Sequence, residues 1–418
     1  MELKEYELGE LLPYEQPSAY IVESTDYNDS YKTPVLTAGK SFILGYTNET
    51  EGIFDKLPVI IFDDFTTATQ FVNFKFKVKS SAMKILNINT ELVLPKYIFY
   101  RMQTIQFDHS THKRYWIQQY SKLKVAIPPL PEQERIVTHI EELFSELDKA
   151  VETLQTTKQQ LAVYRQAVLK EAFEGKLTTS WRKSYSTESP QADFESIMRP
   201  NEVFKDTSGD ENEIKLISPD LWKKIRLAEV FEVQVGATPS RRVPEYWNGD
   251  INWVSSGEVH FNGIFRTNEQ ITDDGLAHAS TNVHPIGTVM LAMIGEGKTR
   301  GQAAILNVEA AHNQNTAAIL VSKTPCSPKY IYYFLQMNYD NTRRVGSGNN
   351  QKALNKERVR ALRFPFTSFA EQNQIVEEIE SRLSVCESIE QTVDTALAQA
   401  DAMRQSILKQ AFEGGFNQ

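Results

Sequence analysis

The chain is 418 residues long, with 41% hydrophobic, 11% aromatic and 24% charged residues, a composition that excludes a disordered or fibrous polymer and suits about two to four domains. Apolar runs such as Val289–Ile294 are far too short to span a bilayer, and the opening "MELKEYELGELL" has no basic segment followed by an apolar run. Cys326 and Cys386 show no metal-ligand spacing and fit a reducing compartment, so a cytoplasmic protein with no membrane partner is expected.

In chain order, residues 1–127 alternate short β-rich runs, "LPVIIF" (Leu57–Phe62) and "FVNFKFKV" (Phe71–Val78), with Gly/Asn/Asp turns, followed by the helical "PKYIFYRMQT". Pro128, Pro129 and Pro131 then introduce a stretch that has no internal Pro or Gly until Gly175, which predicts one long helix within 128–176. Its apolar positions Ile140, Leu143, Leu147, Leu154, Leu161 and Val168 fall on a heptad stripe, the pattern of a helix seeking another helix. Residues 177–218, with "STESP" and "TSGDENE", read as a polar linker. A second globular segment, 219–366, contains "TVMLAMI" (Thr288–Ile294) and "PKYIYYFLQM". A second long helix follows within 367–418, striped by Ile379, Cys386, Ile389, Val393, Met403 and Ile407 and closed by Gly414.

The two halves repeat. "RQAVLKEAFEGK" (Arg165–Lys176) returns as "RQSILKQAFEGG" (Arg404–Gly415), "EQERIVTHIEE" as "EQNQIVEEIES", and "YELGELL" at Tyr6 as "IRLAEVF" at Ile225. A lone amphipathic helix about 60 Å long is unstable in water, and its simplest partner is the other copy. The expected architecture is therefore α+β: two α/β globular domains joined by two long helices that form an antiparallel coiled coil, with a pseudo-twofold internal repeat.

The net charge of −9 is sorted along the chain. Glu132–Glu174 holds nine acids and five bases, and Glu371–Glu413 nine acids and three bases. Ahead of these helices, Lys96–Lys124 carries six bases and one acid, and Arg343–Arg363 seven bases and one acid. Local basic patches permit DNA contact whatever the total charge.

Catalytic patterns fail. "AMIGEGKT" (Ala292–Thr299) ends like a phosphate-binding loop, but Ala292 stands where the pattern needs Gly and no helical run follows. Pro219-Asp220 with Glu296-Gly297-Lys298 imitates a nuclease metal site at poor spacing, and the histidines show no ligand spacing. No catalytic or metal residue is assigned. The polar loops instead offer side chains that read base edges, Arg toward guanine and Asn or Gln toward adenine. In the first half these are Thr66, Thr67 and Thr69, with His112, Lys113 and Arg114. In the second half they are Arg241, Arg242, Lys298, Thr299, Arg300, Gln314 and Asn315, with Asn349, Asn350, Gln351 and Lys352. Ordinary solvated loops remain the competing account of each residue, and a coiled-coil scaffold with protein-binding ends remains the competing account of the whole.

"PPLPEQERIVTHIEELF", "LKEAFEGKLT" and "VGATPSRRVPEYWNGDINWVSSGEV" resemble the specificity subunits of type I restriction-modification systems, and the likeness covers essentially the whole chain. The second helix departs from the usual Pro-rich entry with "FTSFAEQ". The resemblance implies a non-catalytic subunit with no cofactor of its own, whose two target-recognition domains each read one half of a split, asymmetric sequence in double-stranded DNA. It further implies that the helices act as a ruler and dock two modification (methyltransferase) subunits carrying S-adenosylmethionine, and that restriction subunits add ATP- and Mg-dependent translocation and cleavage.

Overall fold

The computed structural model describes residues 3–37, 41–105, 115–185, 190–200, 202–203, 217–295, 297–344 and 354–413. They form two compact units, Met1–Thr156 with Val393–Gln418, and Thr157–Thr392. Each long helix therefore contributes one end to each unit.

Each unit opens in the same way. In unit 1 the strand Lys4–Glu7 runs into the short helix Leu8–Leu11 and pairs antiparallel with Lys124–Ile127, which leads into the first long helix, Leu130–Phe173. In unit 2 the strand Lys223–Arg226 runs into Leu227–Val230 and pairs with Arg363–Phe366, which leads into the second long helix, Phe369–Phe412. Both short helices begin with a capping box, in which the Glu10 carboxylate accepts from Glu7 N and the Glu229 carboxylate from Arg226 N.

Two small sheets fill the middle of each unit. Unit 1 has a four-stranded sheet in the order Tyr14–Glu15, Met83–Asn87, Val59–Asp63, Thr69–Val72, and a three-stranded sheet of Ile43–Thr47, Thr33–Leu36 and Lys77–Val78. The expected single run Phe71–Val78 is thus divided, ending at Val72 in one sheet and resuming at Lys77 in the other. Unit 2 has a five-stranded sheet ordered Val233–Val235, Thr316–Ile319, Val289–Ala292, Ala303–Leu306, Asn262–Ile264, and a three-stranded sheet of Glu269–Ile271, Trp247–Val254 and Ala310–His312. The central strands Val59–Asp63 and Val289–Ala292 are buried at every position, which is why they read as continuous apolar runs rather than alternating ones.

The helices Pro95–Gln103 and Pro328–Met337 tie each sheet to a long helix. A fully buried glutamine does this in both units. Gln133 accepts from Leu94 N at 2.7 Å and donates to Pro128 O and Leu92 O, while Gln372 accepts from Ser327 N at 3.2 Å and donates to Thr367 O. Lys96 and Tyr100 both reach Glu141, as Lys329 and Tyr333 both reach Glu380. The Tyr97–Phe412 ring contact (5.3 Å) has its counterpart in Tyr330–Phe173 (5.1 Å). Burying such side chains contributes about 1.5–3 kcal/mol each, which is what anchors helices whose outer faces are charged.

The long helices are antiparallel. Ile136, Ile140 and Phe144 share a core with Ile407, Leu408 and Ala411 in unit 1, and Leu169 and Phe173 share one with Ile375 and Ile379 in unit 2. Ile140, Leu147 and Val168 are buried, with Leu143, Leu154 and Leu161 half-buried; Ile379, Cys386, Val393 and Ile407 are buried too. Two seam assignments are corrected, because Ile389 and Met403 stand 40% and 53% exposed. The second row of the stripe lies one residue further on, at Phe144, Val151, Arg165 and Ala172, and at Leu383, Glu390, Leu397, Arg404 and Ala411. The helices turn that way because Phe144 packs edge-on against Tyr100 (5.6 Å) and under the Arg404 guanidinium (4.7 Å), while Arg165 pairs with Glu390 and Arg404 with Asp148.

The segment read as a polar linker is partly structured. It contains helices Thr179–Ser184 and Pro190–Ile197, and Phe194 and Ile197 pack on the core of unit 2.

Candidate nucleic-acid interface

Strand register gathers loops that are distant in sequence. In unit 2, Val235 and Leu291 both pair with Ala317, Ala292 pairs with Thr316, and Leu291 pairs with Ala303. Segments 236–246, 293–302 and 313–315 therefore leave the same end of the five-stranded sheet. Hydrogen bonds join them: Met293 N donates to Asn315 O (2.9 Å) and Thr238 Oγ1 to Gln314 Oε1 (2.6 Å), while Trp253 Nε1, from the strand Trp247–Val254, donates to Ala237 O (3.1 Å). Gly236 is required at this junction, since a Cβ there would lie 1.9 Å from His312 O.

Lys298 and Gln314 are exposed on these loops, while Thr299 and Asn315 are half-buried. Two of the arginines singled out from the sequence are engaged by the protein itself. Arg241, though exposed, forms a two-pronged pair with Glu269 and stacks over Trp247 (4.0 Å) and Trp253 (5.6 Å); its neighbour Arg242 is exposed as well. That hydrogen bonding from Arg241 holds the Glu269 carboxyl below its usual range. Arg300 turns inward, donating to Arg343 O at 3.2 Å, and its Nε is buried with no partner among the described residues. The segment after Gly297 is a turn leading into the strand Ala303–Leu306, so it lacks the helix that a phosphate-binding loop requires. Asn349, Asn350, Gln351 and Lys352 lie outside the described residues; Leu354, just beyond them, donates its N–H to Met293 O at 3.0 Å.

In unit 1 the corresponding hairpin joins Val59–Asp63 to Thr69–Val72, and Asp63 also pairs with Met83. Loops 64–68 and 79–82 therefore share one end of the four-stranded sheet. Asp63 Oδ1 accepts from Phe65 N (2.8 Å) and Thr66 N (3.1 Å), and Asp63 O accepts from Thr67 N (2.9 Å). Thr67 is held at φ 57°, left-handed backbone that a β-branched residue seldom adopts. Thr66 is exposed, with Thr67 and Thr69 half-buried. Asp64 is buried 3.7 Å from Lys84, and it accepts from Tyr115 N through its carbonyl and from Trp116 N through Oδ1. His112, Lys113 and Arg114 lie outside the described residues. Lys79, which sequence reasoning passed over, is exposed at the same end, 5.7 Å over the Tyr27 ring. Its only sequence signal is a Lys-Ser-Ser turn between two apolar runs.

Among the described residues no three His, Cys, Asp or Glu side chains are grouped to hold a metal ion, and no helix is long and apolar enough to cross a membrane. A buried histidine pair lies in unit 2. His284 Nε2 and His312 Nε2 lie 3.0 Å apart, and His312 Nδ1 lies 2.7 Å from Thr316 Oγ1. Burial pushes His284 down to about 4 and His312 to about 3, so both rings are neutral at pH 7 and one donates to the other.

Residues 1–162 and 219–398 match the family described as type I restriction modification DNA specificity domain. The specificity subunit of the type I restriction enzyme EcoR124I/EcoR124II of Escherichia coli is 31% identical over 398 residues, covering 91% of this chain and 87% of that one. The EcoBI specificity subunit of Escherichia coli is 25% identical over 303 residues, or 69% of this chain and 57% of that one. Among solved structures, a chain from work on complex assembly and conformational transition of the type I R-M system aligns with a TM-score of 0.63 at 15% identity, covering 98% and 97% of the two chains. The HsdS subunit from Thermoanaerobacter tengcongensis aligns at 0.50 and 14%, covering 99% and 97%. At these identities the structural likeness speaks for the fold. With a family match in both halves and a relative similar along nearly its whole length, the chain belongs to the specificity subunits of type I restriction-modification systems.

Proposed function

We propose that each globular unit reads one half of a bipartite, asymmetric sequence in double-stranded DNA, and that the paired helices fix the unspecified gap between the halves. The observation that carries this reading is the duplication of loops at one sheet end, 64–68 with 79–82 in unit 1, and 236–246 with 293–302 and 313–315 in unit 2. The exposed cations Lys79, Arg242 and Lys298 supply phosphate attraction there, while Thr66 and Gln314 offer hydrogen-bonding groups to base edges. The chain itself supplies the address and no chemistry. Two modification subunits docked on the helices and globular units bring S-adenosylmethionine and flip the target adenine, and restriction subunits bring ATP, Mg, translocation and cleavage.

The test is co-expression of the full chain with its modification subunit, followed by genome-wide sequencing of methylated adenine. The expected result is a single motif of two short blocks around a fixed gap, in which replacing residues 223–364 by a relative's segment changes one block only. A complex that methylates without a split motif, or an exchange that changes both blocks, defeats the reading.

A further inference from the structure

The carbonyl groups of the turn Gly297–Gly301 are held by a neighbouring helix and by the turn itself. Arg343, on the short helix Tyr339–Arg344, donates through Nη2 to Gly297 O and through Nη1 to Arg300 O (3.2 Å). Tyr339 Oη donates to Lys298 O, and Gln302 N donates to Thr299 O at 3.0 Å. Four successive carbonyls, 297 to 300, are thus satisfied from within. The clamp is itself braced: Arg343 Nη1 reaches Tyr339 Oη at 3.0 Å, its guanidinium lies 5.4 Å over the Tyr339 ring, and that ring meets Phe261 edge-on at 5.3 Å. Gly301 closes the turn at φ +87°, where a side chain is strained, and its N–H returns to Ala292 O at 2.8 Å.

A turn whose carbonyls from 297 to 300 are already occupied leaves its side chains, rather than its acceptors, to meet a ligand. The exposed Lys298 and the half-buried Thr299 lie on a strip whose carbonyl partial charges are satisfied by Arg343, Tyr339 and Gln302. Such a strip suits the acceptor-rich edges and phosphates of duplex DNA. The geometry points to Arg343 as a positioning residue for base reading by unit 2: it shapes the turn that carries Lys298 and Thr299 and makes no DNA contact of its own. This rests on the DNA-reading function proposed above.

The test uses the full chain with its modification subunit, as wild type, Arg343→Ala, Arg343→Lys and Tyr339→Phe, read by methylated-adenine sequencing and by DNA affinity against salt. A wild-type complex without a split motif overturns the underlying reading, and the inference falls with it. Given a split motif, Arg343→Ala is expected to relax the unit 2 block about tenfold at one or more positions while the unit 1 block is unchanged. Tyr339→Phe, which alters no charge, shifts the same block by less. Arg343→Lys keeps the charge but cannot span two carbonyls, so it resembles the alanine variant. The slope of affinity against salt stays at its wild-type value in all three variants. A slope lowered by about one in Arg343→Ala and held at its wild-type value in Arg343→Lys marks a direct phosphate contact and overturns the positioning role. Full rescue by lysine, equal loss in both blocks, or no change with either Arg343→Ala or Tyr339→Phe also overturns it.

Discussion

Gln133 and Gln372 do the same work at the start of the two long helices, whereas Glu132 and Glu371, one position earlier, do not. Each glutamine satisfies backbone groups of its own unit, so the repeated helix and the repeated fold depend on it alike. Glu132 sits on the helix surface, where hydrogen bonding from Arg135 holds its carboxyl below the usual range. Glu371 is 3% exposed and accepts from Thr178 Oγ1 (2.7 Å), Trp222 Nε1 (2.9 Å), Thr367 Oγ1 and Arg182. Two of those four donors, Thr178 and Arg182, come from residues between the two family matches, and Trp222 lies just inside the second. A duplicated carboxylate has become a buried hub in one copy and stayed a surface ion pair in the other, so sequence repetition fixes the backbone partner more firmly than the charge partner.

Removing the two carboxylates breaks this comparison most sharply. Glu371→Ala takes the carboxylate from a half-buried arginine and the acceptor from three other donors and is expected to cost about 3–5 kcal/mol in unit 2. Glu132→Ala leaves stability essentially unchanged, as for other surface pairs. Urea unfolding of the full chain, with hydrogen exchange to assign each loss to a unit, measures both. Equal losses from the two variants would contradict the account of the hub.

Acid should separate the units next. His284 and His312 titrate at about 4 and about 3 in the folded chain against an ordinary 6.5, because burial disfavours the charged ring. A folded value below the unfolded one gives stability that is complete above about pH 6.5 and is lost as pH falls toward 4. The loss is on the order of 2 kcal/mol per histidine by about pH 5. In unit 1 the one histidine among the described residues, His139, lies on the helix surface. Hydrogen exchange at pH 7, 6 and 5 should therefore show unit 2 loosening before unit 1, with the difference reduced in His312→Gln. If the two units loosen together, the buried pair is not the cause.

The long helices, the short helices Pro95–Gln103 and Pro328–Met337 and the duplication were legible in the sequence because their signals are local: apolar periodicity, flanking Pro and Gly, and repeated words. The seam was legible only to within one residue. A stripe of three-then-four steps and one of four-then-three share every seventh position, and the choice between them rests on Phe144, Arg165 and Arg404 finding partners elsewhere in the chain. The candidate loops could be named from composition, but their orientation could not be read. Arg241 is claimed by Glu269 and Arg300 by Arg343, partners that sequence spacing does not announce. Lys79 joins the interface through strand register alone.

The smallest expected effect tests whether loop 64–68 trades stability for shape. Thr67 occupies left-handed backbone at φ 57°, its N–H held by Asp63 O, in a turn whose amides are drawn inward by a carboxylate. The turn in unit 2 is the reverse, with carbonyls held by a guanidinium. Glycine relieves the strain at Thr67 but gives the unfolded chain more freedom, so Thr67→Gly should stabilise unit 1 by only about 0.5 kcal/mol. Strain retained at a surface turn is characteristic of recognition sites. The same variant should accordingly relax the methylated block read by unit 1 while leaving the unit 2 block intact. Stabilisation with both blocks intact would mean that the path of the turn, though strained, plays no part in reading DNA. A loss of stability would mean that the threonine side chain holds the turn more strongly than the backbone resists it.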